Sequence, residues 1–136
     1  VFMNPPYFKR NSVKKSPKLS SRQAKIETVS LSEWFSVAKK RCKPNGKVTI
    51  IQRIERLPEI IKCLNGYFGQ IIVQPISSFK DTSPKTIIVQ ATKSSNGAFK
   101  LLAPKIVHKR DVETGEVLYE DEFKKILSSG HPLRLN

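Results

Sequence analysis

Between Ser30 and Val89 the apolar residues switch repeatedly between helical and extended spacing, and this alternation limits the fold more than any other feature of the chain. Leu31, Trp34, Phe35, Ala38 and Cys42 follow the helical period, and Ser30 with Glu33 forms a capping box ahead of them. Lys39, Lys40, Arg41 and Lys43 suit the negative C-terminal end of that helix, which Pro44-Asn45-Gly46 stops. Val48-Thr49-Ile50-Ile51 is a β-branched run that reads as a central strand. Leu57, Ile60, Ile61 and Leu64 predict a second amphipathic helix, with Pro58 in its first turn and Gly66 just past its end. Ile71-Ile72-Val73 and Thr86-Ile87-Ile88-Val89 are two further strands around a polar turn at Ser77–Pro84. Strand, helix, strand, helix, strand, strand is the order of an α/β sheet whose last two strands form a hairpin. Upstream, Val1-Phe2-Met3 reads as the end of a buried strand, cut off by Pro5-Pro6, which carry no N–H for a ladder. Downstream, residues 98–108 read as extended, Glu113-Thr114-Gly115 as a turn, and Tyr119, Phe123, Ile126 and Leu127 as a short closing helix.

A chain of 136 residues suits one small domain. No apolar stretch approaches the roughly 20 residues that span a bilayer, and Val1–Pro6 has neither the basic nor the apolar region of a signal peptide. Cys42 and Cys63 lack the spacing of a disulfide framework or a zinc site, so no metal is expected, and each sits on the apolar face of a helix as a packing thiol. A reducing, cytoplasmic setting is the expectation. The net charge of +14 is unevenly placed: residues 1–110 hold 22 basic and 5 acidic side chains, whereas the acidic C-terminal segment 111–136 holds 3 and 6. Such a body favours a polyanionic partner, since clustered cations release counterions from phosphates. The densest cluster is Lys9, Arg10, Lys14, Lys15, Lys18 and Arg22, within a loop at residues 9–23 that has no apolar periodicity. These six are the candidate nucleic-acid-binding residues. His108 and His131 have no acidic or serine partner nearby in sequence and carry no assigned role.

Asn4-Pro5-Pro6-Tyr7, directly after a strand, is the motif with chemical content. Proline makes up about 5% of residues, so Pro-Pro at a chosen place arises by chance roughly once in 400. Ligands of open α/β sheets bind outside the carboxyl ends of the strands. There, the Asn4 amide oxygen and the Pro5 carbonyl can both accept hydrogen bonds from one –NH2 group, and Tyr7 offers a ring face to a planar group. That set suits a delocalised, poorly nucleophilic nitrogen, because two acceptors orient its lone pair and stabilise the positive charge that develops on it.

A strand followed by Asn-Pro-Pro-Tyr resembles the signature of class I S-adenosylmethionine-dependent methyltransferases that act on amino groups of adenine, cytosine or glutamine. The resemblance covers nearly the whole chain. Ser21-Arg22-Gln23-Ala24-Lys25-Ile26-Glu27 is similar to the segment that follows the motif in bacterial tRNA adenine-specific methyltransferases. Leu31, Trp34 and Ala38, then Lys43-Pro44-Asn45-Gly46-Lys47 and Ile50-Ile51-Gln52-Arg53, resemble that family's next helix, turn and strand. Leu57-Pro58-Glu59-Ile60, Tyr67-Phe68-Gly69, the strand Ile71–Pro75, Pro104-Lys105-Ile106-Val107-His108 and the Tyr119–Leu127 helix continue the pattern.

The resemblance implies a partial Rossmann-like methyltransferase sheet, with Asn4, Pro5, Pro6 and Tyr7 as the catalytic residues and tRNA as partner. It also implies S-adenosylmethionine as cofactor, held in the family by an earlier glycine-rich strand-turn-helix and an acidic residue. No such turn exists in this chain: Asn45-Gly46-Lys47 and Asn65-Gly66-Tyr67 each precede a strand. The chain begins inside what would be the family's fourth strand. The expectation is therefore a C-terminal half without cofactor-binding residues of its own, inactive alone, with a separate N-terminal half as a candidate partner. Thr86 stands where the family usually has Arg, next to Lys85. A protein glutamine methyltransferase fragment, a non-catalytic remnant and a basic RNA-binding module are the alternatives.

Overall fold

The computed structural model describes residues 1–6, 8–9, 26–27 and 29–135. A mixed sheet is built from β1 (Phe2–Met3), β4 (Lys47–Arg53), β6 (Thr86–Lys93) and β5 (Phe68–Ser77), in that spatial order. β1 runs parallel to β4, while β6 is antiparallel to both β4 and β5 and lies between them. The hairpin expected from sequence is the β5–β6 pair, but it does not end the sheet. β7 (Lys100–Leu101) and β8 (Lys105–Ile106) pair in parallel with the outer edge of β5, one after the other, as an interrupted edge strand. The extended segment 98–108 is therefore part of the sheet. Two short strands, β2 (Phe8–Lys9) and β3 (Ile26–Glu27), pair in parallel apart from it.

The alternation of β4 explains which face is covered. Val48, Ile50 and Gln52 point inward and are buried, with intervening residues half-exposed. Helices α1 (Leu31–Arg41) and α2 (Leu57–Leu64) pack on that face. Leu31, Phe35 and Ala38 from α1, Cys42 at its C-terminal cap, and Ile60 and Leu64 from α2 meet Met3, Ile50, Val73, Ile87 and Val89 in one core. The capping box is formed: the Ser30 hydroxyl accepts from the Glu33 N–H, and the Ser30 N–H donates to Glu33 Oε2 at 2.8 Å. The Ser30 hydroxyl also donates to Glu33 Oε2 at 2.8 Å, and this bond, together with the one from the Ser30 N–H, holds the Glu33 carboxyl below its usual pKa. At the other end of α1, Lys93 Nζ reaches across from β6 to donate to the carbonyls of Lys39 and Cys42. Trp34 packs half-buried against the core. Of the first strand only Met3 is buried, and Phe2 is 66% exposed. Cys42 is buried but Cys63 only partly so, and burial pushes its thiol pKa up.

The closing helix α3 (Asp121–Ser129) is present but starts later than the spacing of Tyr119 suggests. Tyr119 instead ends β10 (Val117–Tyr119), opposite His108 of β9 (His108–Arg110), across the turn at residues 112–114. Cross-strand pairing outweighs the coincidence that Tyr119 lies four residues before Phe123. Asp121 and Glu122 occupy the first turn of α3, where acidic side chains favour the helix dipole. Among the described residues no helix is long and apolar enough to cross a membrane.

Gly69 in β5 lies against the 95–97 loop so closely that a Cβ there would sit 1.9 Å from the Ser95 carbonyl oxygen and 2.7 Å from its carbon. These are backbone atoms, so the strand itself has to move. Gly69→Ala is expected to destabilise the chain by about 1–3 kcal/mol. Gly115→Ala, with φ +71° and nothing within 4 Å, should cost only about 1 kcal/mol. Equal denaturant midpoints for the two variants would contradict this packing.

Candidate functional site

β1, β4 and β5 point the same way, so Met3, Arg53 and Ser77 end on one edge of the sheet, joined there by Thr86 at the start of β6. Asn4, Pro5 and Pro6 emerge at this carboxyl edge, the usual ligand side of an open α/β sheet. Pro5 is fully buried, Pro6 half-buried and Asn4 exposed.

Two consecutive prolines give a turn two carbonyls and no N–H, so it cannot tie itself to the sheet by donating. Gln52 supplies the missing donors. Its side chain is 0% exposed, and its Nε2 donates to Pro5 O at 3.3 Å and to Pro6 O at 3.2 Å. Its Oε1 accepts the Arg53 N–H at 2.9 Å, so both ends of the amide are engaged. The turn is thereby clamped to β4, and the neighbouring Asn4 side chain has no hydrogen-bond partner among the described residues. Of the two acceptors expected to meet an amino group, the Asn4 oxygen is unengaged among the described residues. The Pro5 oxygen already has one lone pair engaged by Gln52 and a second to offer.

Sequence reasoning gave Gln52 no role of its own. The available signal was a polar residue on the inward face of the run Val48, Ile50, Gln52, beside a proline pair in need of donors.

The same edge carries two bidentate ion pairs. Arg53 Nε and Nη2 donate to Glu55 at 3.3 and 3.0 Å, holding the Glu55 carboxyl below its usual pKa and raising that of Arg53. The half-buried pair of Arg56 and Glu59 closes at 3.0 Å. Thr86 is the register partner of Arg53, so a cation from the neighbouring strand stands beside the position where the resembling family usually has its arginine.

Tyr7, Arg10, Lys14, Lys15, Lys18 and Arg22 lie outside the described residues, and Lys9 is described only through its backbone pairing with Glu27. His108 packs between Phe79 and Tyr119, ring centroids 5.6 and 4.9 Å away. Among the described residues, no strand passes through a glycine-containing turn into a helix: β4 enters α2 through Ile54–Arg56, and β10 enters α3 through Glu120. These residues do not fit the donor side of an S-adenosylmethionine site.

No protein-family model matches the chain, and no curated protein matches it. Its structure is similar to the crystal structure of a predicted O-methyltransferase from Agrobacterium tumefaciens, with a TM-score of 0.67 and 22% sequence identity. The likeness covers 92% of this chain and 48% of that one, so the chain spans about half the length of the solved structure it matches. At that identity the likeness is one of fold, a Rossmann-like methyltransferase-type α/β sheet.

Gln52→Leu leaves two carbonyls and one N–H without their side-chain partner, and should cost about 1–3 kcal/mol. Gln52→Glu tests the same contacts by pH. Protonated, the carboxyl can still donate to a proline carbonyl. Ionised, it faces two carbonyl oxygens in a buried site, so its folded pKa rises above the unfolded value of about 4.3. The variant should approach wild-type stability at low pH and lose stability as pH rises above that value. A pH-independent difference in denaturant midpoint would refute the clamp.

Proposed function

We propose that this chain forms the acceptor side of a methyltransferase that modifies the exocyclic amino group of an adenine in tRNA. One observation carries the reading: an exposed asparagine amide stands on a proline turn that a buried glutamine locks to the carboxyl edge of a methyltransferase-type sheet. The Asn4 oxygen and the second lone pair of the Pro5 oxygen accept the two hydrogens of the amino group, turning its lone pair outward. The target base leaves its stack and lies against Tyr7, as bases must for enzymes to reach their atoms. Lys9, Arg10, Lys14, Lys15, Lys18 and Arg22 take the phosphates beside it.

Two features favour this acceptor over the others. A hydroxyl offers one hydrogen to a pair of acceptors, and an amino group offers two, so the set suits nitrogen better than oxygen. A glutamine side chain also presents –NH2, but a net charge of +14 suits a phosphate backbone better than a protein surface. S-adenosylmethionine, the donor implied by the sequence resemblance, belongs on this reading to residues of a partnering or preceding half.

Radiolabelled methyl transfer to unmodified tRNA tests the reading. The 136-residue chain alone should transfer no label, and a protein that adds a donor-binding half to it should be active. In that complemented protein, Asn4→Ala should lower kcat by about 10²- to 10³-fold while donor affinity holds. Full activity of Asn4→Ala, or label on a hydroxyl or a protein glutamine, overturns the assignment.

A further inference from the structure

The cations of the chain are disposed differently at the two ends of its sheet. At the carboxyl edge and in the C-terminal segment acidic partners are at hand: Arg53 pairs with Glu55, Arg56 with Glu59, Lys105 with Glu122, and Lys109 with Glu120 and Asp121, while Lys80, Lys85, Lys124 and Lys125 belong to no ion pair among the described residues. At the amino edge, where β4 and β5 begin and both α1 and α2 end, Lys40, Arg41, Lys43 and Lys62 are exposed and belong to no ion pair among the described residues. No acidic residue occurs between Glu33 and Glu55.

Solvated surface charge and compensation of the helix dipoles are the ordinary explanations for such a cluster. Each helix end presents about half a negative charge, so two ends call for roughly one cation. The end of α1 is already served by Lys93, whose ammonium sits on the carbonyls of Lys39 and Cys42. The remaining cations are therefore surplus to the dipoles. Lys39 adds to them and is held in place, its Nζ 3.5 Å above the exposed ring of Tyr67. The cluster is contiguous, because Ser94, which follows Lys93, donates to the Tyr67 carbonyl, and Lys93 itself exchanges backbone bonds with Asn45 and Gly46.

We propose that this amino edge is a second RNA-contacting surface that docks the phosphate backbone of a folded RNA. The proposal rests on the acceptor reading above and extends it, because it places the docking charge apart from the reacting nucleotide. The six residue steps of β4 separate the two edges by about 20 Å. That is about six stacked base steps at roughly 3.4 Å each. A structured RNA spans the gap, and a trinucleotide carrying the target base does not.

Fluorescence anisotropy of labelled, unmodified tRNA with the full chain, between about 50 and 200 mM salt, tests this. The variant Lys40→Gln/Arg41→Gln/Lys43→Gln keeps good helix formers at its two helical positions. It should bind at least tenfold more weakly, with a log–log salt slope lower by about 2, since each lost phosphate contact removes about 0.7–0.9. Lys43→Gln alone, outside the helix, should show about a third of that slope change and guards against misfolding. Lys105→Gln/Lys109→Gln, which removes paired lysines, should leave the slope unchanged. Trinucleotide affinity should not respond to the triple variant. In the complemented methyltransferase that variant should raise KM for tRNA with kcat unchanged, whereas Asn4→Ala lowers kcat, so the failure of one idea is separable from failure of the other. An unaltered slope in the triple variant overturns the proposal, as does an equal loss in the Lys105/Lys109 control. A loss of binding to anionic lipid vesicles while tRNA binding holds assigns the patch to a membrane surface and overturns it too. A wild-type chain that does not bind tRNA defeats both ideas.

Discussion

The antiparallel strand β6 holds the rest together. β1, β4 and β5 all run one way, yet β4 and β5 never touch in the sheet, since β6 fills the space between them and hydrogen-bonds to both along its length. Its position explains its composition. Ile87, Val89 and Ala91 face the helices, while Ile88 and Thr92 are buried on the opposite face, so the run reads as nearly continuous apolar sequence and not as an alternation. The carboxyl edge exists because β6 starts there: its Thr86 stands level with both Arg53 and Ile76. The Asn-Pro-Pro turn is then set by β1 lying on the far side of β4.

Two buried glutamines solve the same problem at two places. Prolines deprive a strand or turn of donors, and an uncharged amide with two hydrogens replaces them at a lower desolvation cost than a buried ammonium. Gln52 donates to the carbonyls of Pro5 and Pro6. Gln74, 1% exposed, donates to those of Pro75 and Ala103, at 3.0 and 2.7 Å. Pro75 falls in the gap between β7 and β8, where the outer edge strand is interrupted, so its missing N–H breaks no continuous ladder there. The amide of Gln74 bridges that interruption, as the amide of Gln52 bridges the proline turn to β4.

Local features of this fold were legible in the sequence, because their causes are local. The capping box at Ser30, the stop after Arg41, Pro58 in the first turn of α2 and the β5–β6 hairpin all follow from residues a few positions apart. Non-local pairing was not legible. Nothing in residues 98–108 announces that two short pieces will add to β5, since that depends on an edge left open by a strand some thirty residues earlier. The spacing of Tyr119 to Phe123 and Ile126 fits a helix, and only its partner His108 shows otherwise. At the candidate site, Asn4, Pro5 and Pro6 were visible as a motif, whereas Gln52 becomes meaningful only once its amide is seen against two carbonyls 46 and 47 residues away.

The pairing of charges at the carboxyl edge bears on the proposed chemistry. An amino nitrogen that gains positive charge as it reacts is opposed by any bare cation nearby, in proportion to inverse distance and local dielectric. Arg53, whose N–H is held by the glutamine that clamps the turn, is locked to Glu55 and so adds little net field at Asn4. Neutral oxygens, already oriented and requiring no reorganisation, are left to meet the developing charge. Attraction for a polyanion is supplied best by lysines and arginines lacking acidic partners. The proposed arrangement follows: dipoles at the reacting nitrogen, the basic loop on the phosphates beside it, and a second set of uncompensated cations about 20 Å away, where they add to binding without opposing the reaction.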